Sequence, residues 1–505
     1  MIDPKTEEDE KREKAKNDWR WFEEDLKYQR LYVLNVGEKT TRLLTSDNRQ
    51  VMLMDWSPDG KEIAFLHTKA PGADYWVRSE LSLLNLESGE IRLLTTAPGA
   101  KSHPFFSPDG KQIATTISDH PTRWAGFANL AVIPASGGEP RLLSETCNGS
   151  PNLAGWSEDG KSLIFSENIG TLTQPSSVEI ASGETTNYDH GNALQSEFKL
   201  NVARTHVGFR RVTNEAPVEA FVTPLIKFNP VQVSRANSEF PGHPVGRTEV
   251  IRWKSPDGEE IEGLLTYPVD HTPGHSVPLI LNIHGGPAGV FQQGHIASAT
   301  IYPIAAFSSN GFAVLRPNPR GSTGYGKRFR YANEKDWGGK DYQDLMSGVD
   351  HLIASGFADP NRTGVMGWSY GGFMTSWVIS QTNRFKAASI GAPVTNLTSF
   401  TGTADIPSFL PDYFGAQPWD DPAIYEKHSP VLQMQGATTP ALIQHCEGDL
   451  RVPISQGYEV YNALKQQGVE VRMLVLPRQD HSPREPRALL KIMQTNLEWM
   501  QKHLQ

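Results

Sequence analysis

The hexapeptide Trp56-Ser57-Pro58-Asp59-Gly60-Lys61 returns 50 residues later as Phe106-Ser107-Pro108-Asp109-Gly110-Lys111. It returns after another 50 as Trp156-Ser157-Glu158-Asp159-Gly160-Lys161. A fixed period of this length marks a repeat architecture, in which one supersecondary unit is copied and stacked. Each copy is an aromatic residue, a turn and an alternating strand: Glu62-Ile63-Ala64-Phe65, Gln112-Ile113-Ala114-Thr115 and Ser162-Leu163-Ile164-Phe165. Asp-Gly accepts the positive φ that a tight hairpin needs. Further strands, such as Leu31 to Val36 and Thr41 to Leu44, fill the period. Four short strands per unit of about 50 residues predict the blade of a β-propeller. A degenerate fourth unit, without its Asp-Gly, is expected from Phe198 to Val222. A β-sandwich of similar hairpins is the competing fold, and the constant spacing argues against it. The repeated Asp residues read as turn formers with no chemistry of their own.

Upstream, residues 1–28 form a charged extension. Lys5 to Lys16 reads as a solvated helix or an unstructured segment, and the acids Glu23, Glu24 and Asp25 as an exposed face. The repeats occupy 29–245. From 246 to the end the pattern changes. A hairpin, Glu249 to Lys254 with Glu260 to Tyr267, crosses Ser255-Pro256-Asp257-Gly258. Strands then alternate with helices. The strands are expected at Leu279–Ile283, Phe312–Arg316, Thr363–Met366, Ala387–Ile390, Ala441–His445 and Val471–Leu476. Tyr342, Leu345, Met346, Val349, Leu352 and Ile353 share one helical face, as do Leu489, Ile492, Met493, Leu497 and Met500. Such alternation implies a mostly parallel sheet covered on both faces, with ligands at the carboxyl ends of its strands.

Within this half stands Gly367-Trp368-Ser369-Tyr370-Gly371, followed by Gly372. An apolar stretch precedes it, and a helix is expected from Phe373 to Gln381. A G-x-S-x-G between strand and helix is a nucleophile elbow, whose tight turn leaves no room for a Cβ at the flanking positions. A serine hydroxyl becomes a nucleophile only beside a base, and the base needs an orienting acid. In an α/β-hydrolase the order is Ser, Asp, His. Asp449 follows the Ala441–His445 strand, and His481 lies in the loop after the next strand. Both are therefore expected at the edge that carries Ser369. His445 reads as core and His284 as structural. Asp480 is the rival acid, but a sequence neighbour rarely points back at the imidazole. For the oxyanion, donors are expected from the N–H of Tyr370 and, in His284-Gly285-Gly286-Pro287, from Gly286. Pro287 has no N–H to give.

With 505 residues, two or three domains are expected. The formal net charge of -9 argues against a nucleic-acid or anionic-membrane partner. Cys147 and Cys446 are too few and too far apart for a disulfide framework or a thiolate metal site. No metal or cofactor is called for. No apolar run is long enough to span a bilayer, and the charged first residues do not form a signal peptide, so a cytoplasmic location is expected.

Together these motifs resemble the prolyl oligopeptidase family of serine peptidases, closest to its acylaminoacyl-peptidase and bacterial dipeptidyl-peptidase-like branch. The resemblance rests on Gly367 to Gly372, His284 to Pro287, Asn318-Pro319-Arg320-Gly321-Ser322-Thr323-Gly324-Tyr325-Gly326, Trp337-Gly338-Gly339-Lys340-Asp341-Tyr342, Asp449-Leu450-Arg451-Val452-Pro453, and His481 with Arg484-Glu485-Pro486-Arg487. It spans nearly all of 245–505, with weaker motifs in the repeats. It implies a β-propeller followed by an α/β-hydrolase domain, and hydrolysis of short peptides or acylated amino acids by Ser369, Asp449 and His481. It also matches Arg451 to an arginine near the active site of acylaminoacyl peptidases. An ion pair holding the Asp449 loop is the other reading of Arg451. Relatives have seven or eight blades, whereas about four fit here. The ring is therefore expected to be incomplete, and its open edges to invite a second copy of the chain. A carboxylesterase with the same triad, and a binding protein with a vestigial hydrolase, are the alternative functions.

Overall fold

The computed structural model of the protein describes residues 1–505 apart from 20, 25, 239–243 and 299, so Asp25 of the acidic run lies outside the described residues. The chain divides into two compact units. One comprises Met1–Ser166, Ser176–Asn187 and Lys199–Thr205; the other comprises Glu167–Pro175, Tyr188–Phe198 and His206–Gln505.

In the first unit, Glu7–Lys14 is a helix with no buried residue, started by a reciprocal cap between Thr6 and Asp9. A two-stranded hairpin follows, Tyr32–Asn35 with Thr40–Leu43. Next come four-stranded sheets in chain order. The first holds Gln50–Trp56, Glu62–Thr68, Glu80–Asn85 and Ile91–Leu93; the second holds Phe105–Phe106, Gln112–Ser118, Ala128–Pro134 and Arg141–Leu142. The third runs from Asn152–Trp156 to Thr185–Asn187. The repeated turn is the same object three times. Ser57 Oγ donates to Asp59 Oδ1 at 2.7 Å, and Lys61 N donates to that oxygen at 3.1 Å, with Gly60 at φ 69°. The bonds recur unchanged at 107–111 and 157–161. The hydroxyl donor holds each of these carboxyls below its usual range, which fits turn formers.

The aromatic residue that opens each copy packs on the sheet before it. Phe106 is buried with Ala64, Leu81 and Leu83, and its N–H donates to Asp55 at 2.8 Å. Trp156 is buried with Ala114 and Leu130, and its Nε1 donates to Phe105 O at 2.8 Å. Trp56 has only the two-stranded hairpin before it in the chain and is 42% exposed. A fourth four-stranded sheet is also present: Leu194–Leu200, His206–Val212, Glu219–Pro224 and Val231–Gln232. It extends beyond the Phe198 to Val222 read from sequence. Its first turn has no Asp-Gly, and Arg204 there takes φ 57°, the conformation glycine supplies in the other copies.

The second unit contains an eight-stranded sheet. Its strands are β1 (Thr248–Lys254), β2 (Glu260–Thr266), β3 (Val277–Ile283), β4 (Ala313–Asn318), β5 (Ala358–Trp368), β6 (Ala387–Gly391), β7 (Ala441–Cys446) and β8 (Val471–Leu476). The spatial order is β1-β2-β4-β3-β5-β6-β7-β8. The first two junctions are antiparallel and the rest parallel. On one face, Ile280, Val314, Met366, Ala387 and Leu442 pack against Ile492, Trp499, Met500 and Leu504 of the last helix, Pro486–Leu504. Each such fully buried side chain contributes about 1.5–3 kcal/mol. The helix Lys340–Ala354 is anchored by Trp253, whose indole donates to Asp344 O at 2.9 Å. Gly348 makes room for that ring, since a Cβ there would lie 2.7 Å from it. Among the described residues no helix is long and apolar enough to cross a membrane. The parallel strands end at one edge, and the segments after β3, β5, β7 and β8 carry the candidate site.

Candidate active site

β5 ends at Trp368, and the helix Tyr370–Gln381 begins two residues later. The one residue between them, Ser369, sits at φ 62°, ψ -121°. Such a conformation costs a non-glycine residue about 1–3 kcal/mol and persists only where its surroundings hold it. Three glycines make that possible by absence of side chain. A Cβ on Gly367 would lie 2.4 Å from Gly371 O, one on Gly371 2.2 Å from Ile283 O, and one on Gly372 2.2 Å from Gly391 O. The Ser369 N–H donates to Gly391 O at 3.0 Å, and its carbonyl accepts the first helical bond from Phe373 at 2.8 Å. The helix starts at Tyr370, ahead of the Phe373 expected from sequence. Glycines disfavour helix, but the packed turn fixes them there.

His481 and Asp449 are brought together by the loops after β8 and β7. His481 Nδ1 bonds to Asp449 Oδ2 at 2.7 Å, while Asp449 Oδ1 accepts the Val452 N–H at 2.8 Å. The Asp449 side chain is fully buried and that of His481 is 21% exposed. Asp480 is exposed, and its carboxylate accepts from Ser482 N at 2.9 Å, a bond within its own loop. Trp368 ties the His481 loop to the elbow: its Nε1 donates to His481 O at 3.1 Å, and the two rings lie 6.5 Å apart. Ser369 Oγ makes no hydrogen bond with the imidazole. Such contacts are often long before substrate binds and tighten in the complex.

The other two histidines near the edge are occupied. His284 is buried, and burial pushes its pKa down to about 4, so it is neutral. A neutral ring has one N–H. Nδ1 lies 2.8 Å from Gly285 O, and Nε2 lies 2.9 Å from Ser322 Oγ, whose own proton goes to Pro319 O at 2.6 Å. His445 is fully buried, its pKa lowered by burial, and its Nε2 donates to Val452 O at 2.8 Å.

The loop after β3 lies against Ser369. A Cβ on Gly285 would stand 3.5 Å from Ser369 Cβ. The Gly286 N–H has no acceptor among the described residues. The Tyr370 N–H is the first of the helix, where no intrahelical acceptor exists. Arg451 reaches Asp405, Nε to Oδ1 at 2.7 Å, and Asp405 N donates to Leu450 O at 2.9 Å. This pair ties the Asp449 loop to the segment after the helix Leu397–Thr403.

Two contributors were not legible as such in the sequence. Asp341, within a motif noted there only as a resemblance, is fully buried. It accepts from the Tyr370 hydroxyl and, at 2.8 Å, from Tyr342 N. Burial raises its pKa to about 7. Trp337 stacks edge-on to Tyr370 with centroids 5.0 Å apart. Between them they fix Tyr370, the residue after Ser369. Among the described residues no cluster of His, Cys, Asp and Glu could hold a metal ion.

Residues 299–505 match the family described as Prolyl oligopeptidase family. The uncharacterized peptidase YuxL of Bacillus subtilis is 30% identical in an alignment covering 89% of each chain. Dipeptidyl-peptidase 5 of Porphyromonas gingivalis is 25% identical over 89% of this chain, which spans 66% of that protein's length. In fold, the chain is similar to a puromycin-hydrolyzing peptidase of Mycobacterium tuberculosis, with a TM-score of 0.77 at 20% identity, covering 94% of this chain and 83% of that one. It is also similar to Pyrococcus horikoshii acylaminoacyl peptidase, with a TM-score of 0.69 at 18% identity, covering 94% and 85%.

Two outcomes follow from this geometry. Asp449→Asn leaves the imidazole in the wrong tautomer and should lower kcat by about 10⁴-fold. Asp480→Asn should be far milder, and steady-state rates showing the reverse order would overturn the assignment. Asp341 has a folded pKa raised from 3.8 to about 7. Its burial therefore carries no ionisation penalty below pH 4 and increasingly penalises the folded state as pH rises to 7. The urea midpoint of the wild type, measured against Asp341→Asn, should fall over that interval. A difference independent of pH would contradict it.

Proposed function

The chain belongs to the prolyl oligopeptidase family and is a serine peptidase that hydrolyses peptides; from that premise we propose that Ser369 is its nucleophile, His481 its base and Asp449 the orienting acid. The observation that carries this reading is the buried Asp449 carboxylate on His481 Nδ1, which leaves Nε2 as the nitrogen free to take a proton. Ser369 Oγ attacks the scissile carbonyl and gives its proton to His481 Nε2. The tetrahedral oxyanion is held by the N–H groups of Tyr370 and Gly286. The C–N bond breaks as His481 returns the proton to the leaving amine, and an acyl-Ser369 ester remains. Water then attacks that ester, its proton passes to His481, and the acid leaves as the hydroxyl of Ser369 is restored. Asp449 supports the transient imidazolium throughout.

The substrates we assign are short peptides or acylated amino acids, in line with the names of the relatives. We further assign residues 246–505 to the hydrolase, and the repeats before them to a propeller shorter than those of the relatives. The YuxL alignment supports this. Its 601 positions include 89% of this chain, which fills only about three quarters of them. The remainder is about three 50-residue units. A shorter ring should gate the site loosely.

Ser369→Ala should abolish hydrolysis of a short peptidyl anilide, with a loss on the order of 10⁶-fold. The wild type should also cleave long unstructured peptides. Retention of most anilide activity by Ser369→Ala would refute the nucleophile. Wild-type cleavage confined to short peptides would refute the loose gate alone.

A further inference from the structure

A cavity of about 390 Å³ lies at the carboxyl edge of the sheet, on the face that carries the last helix. Its walls include Gly285, Trp368, Phe291, Asn282 and Arg316. Two of these adjoin the nucleophile. Trp368 precedes Ser369 in the chain, and Gly285 stands against its Cβ. Asn282 and Arg316 lie deeper, side by side on β3 and β4, one step beyond the paired Leu281 and Leu315.

Arg316 is the anomaly. It is 8% exposed, yet among the described residues it has no carboxylate partner. Its Nη2 makes one long bond to Thr266 Oγ1 at 3.4 Å, its Nε is buried with no partner, and its guanidinium stands 5.9 Å from the centre of the Phe291 ring. Burial alone pushes its pKa down to about 10, with no opposing charge to lift it. Elsewhere in the same unit a buried arginine is fully matched: Arg320 meets Asp344 and Asp257. A buried cation without a counter-ion is costly, and an arriving anion would relieve that cost. Asn282 Oδ1 is buried without a partner in the same cavity. Turned about its last torsion, that amide presents N–H to the same anion.

Resting on the reading of Ser369 as nucleophile, the geometry points to a carboxylate subsite built by Arg316 and Asn282, which receives the free C-terminal carboxylate of the departing peptide fragment. Distance sets the length of that fragment. Arg316 and Ser369 are two strand spacings apart, about 10 Å, and three residues apart along the strands, about 10 Å more. Their α-carbons are thus about 14 Å apart. The arginine stem and a leaving group of one or two residues, at about 3.5 Å each, fill that interval. Guanidinium and carboxylate are matched in shape as well as charge, because two parallel N–H groups meet two oxygens. The enzyme then favours peptides cut one or two residues from a free C-terminus.

The test uses the full chain and a peptide cleaved two residues from its end, in free-acid and C-terminal amide forms. The selectivity is the ratio of their kcat/KM values, which cancels any general loss of active enzyme. The wild type should favour the acid by about 10- to 100-fold, as a charge-assisted contact of this kind supplies. Arg316→Met should bring the ratio near one, and Arg316→Lys should keep part of it. A wild-type ratio near one overturns the subsite even if neither variant folds, and so does a ratio that Arg316→Met leaves unchanged. Added acetate separates the two sources of carboxylate. If acetate raises the rate on the amide and the acid is not preferred, the site takes a free anion and the leaving-group assignment is wrong. Failure of the nucleophile reading shows separately, because Ser369→Ala would then still hydrolyse both substrates.

Discussion

The backbone of Ser369 is held at φ 62° because there is nowhere else for it to go. Gly367, Gly371 and Gly372 let three carbonyls approach to distances that any side chain would block. The helix behind the turn is buried along most of its length, from Tyr370 to Ile379. That burial, of about 1.5–3 kcal/mol for each large side chain, is ample to offset a strain of about 1–3 kcal/mol. The same turn sets Ser369 at the carboxyl end of β5, leaves the Tyr370 N–H without an intrahelical acceptor and lets the loop after β3 bring Gly285 against Ser369. The strained serine, the N–H at the helix start and the approach of Gly285 are thus three consequences of one packed turn.

Burial also sorts the histidines. His284, His445 and His481 all belong to the segments at the carboxyl edge. Two of them are walled in, kept neutral by desolvation and committed to backbone or hydroxyl partners. A base must reach substrate and carry a charge for part of the cycle, and a closed site resists both. His481 is the one with a carboxylate on Nδ1 and an exposed edge. The acid is sorted in the opposite sense. Asp449 is buried and fully bonded, while Asp480 faces solvent.

Features set by a few adjacent residues were legible in the sequence. The Ser-x-Asp-Gly turns form as written, because hydroxyl, carboxylate and glycine close them without outside help. The β8 strand has the bounds Val471–Leu476 read from alternation, and the order of Asp449 and His481 follows from strand order alone. What the sequence hid depends on distant partners. Arg204 adopts the glycine conformation of the fourth repeat through its surroundings, with no local signal. Asp341 stands at a helix start, and nothing local shows that it is buried against the Tyr370 hydroxyl. β5 extends from Ala358, well before Thr363, because β3 offers it pairing through Val277 despite the polar Asp359 and Asn361. Arg316 sits in a run that reads as a plain buried strand, and only the three-dimensional arrangement reveals that nothing neutralises it.

The central claim, that the strained turn presents an activated serine, is tested most directly by locating the covalent adduct of a fluorophosphonate. One adduct per chain is expected, on the peptide that contains Ser369, with formation slowed strongly when His481 is replaced by alanine. Labelling of another serine, or no labelling by an enzyme that still turns over a peptidyl anilide, would contradict it.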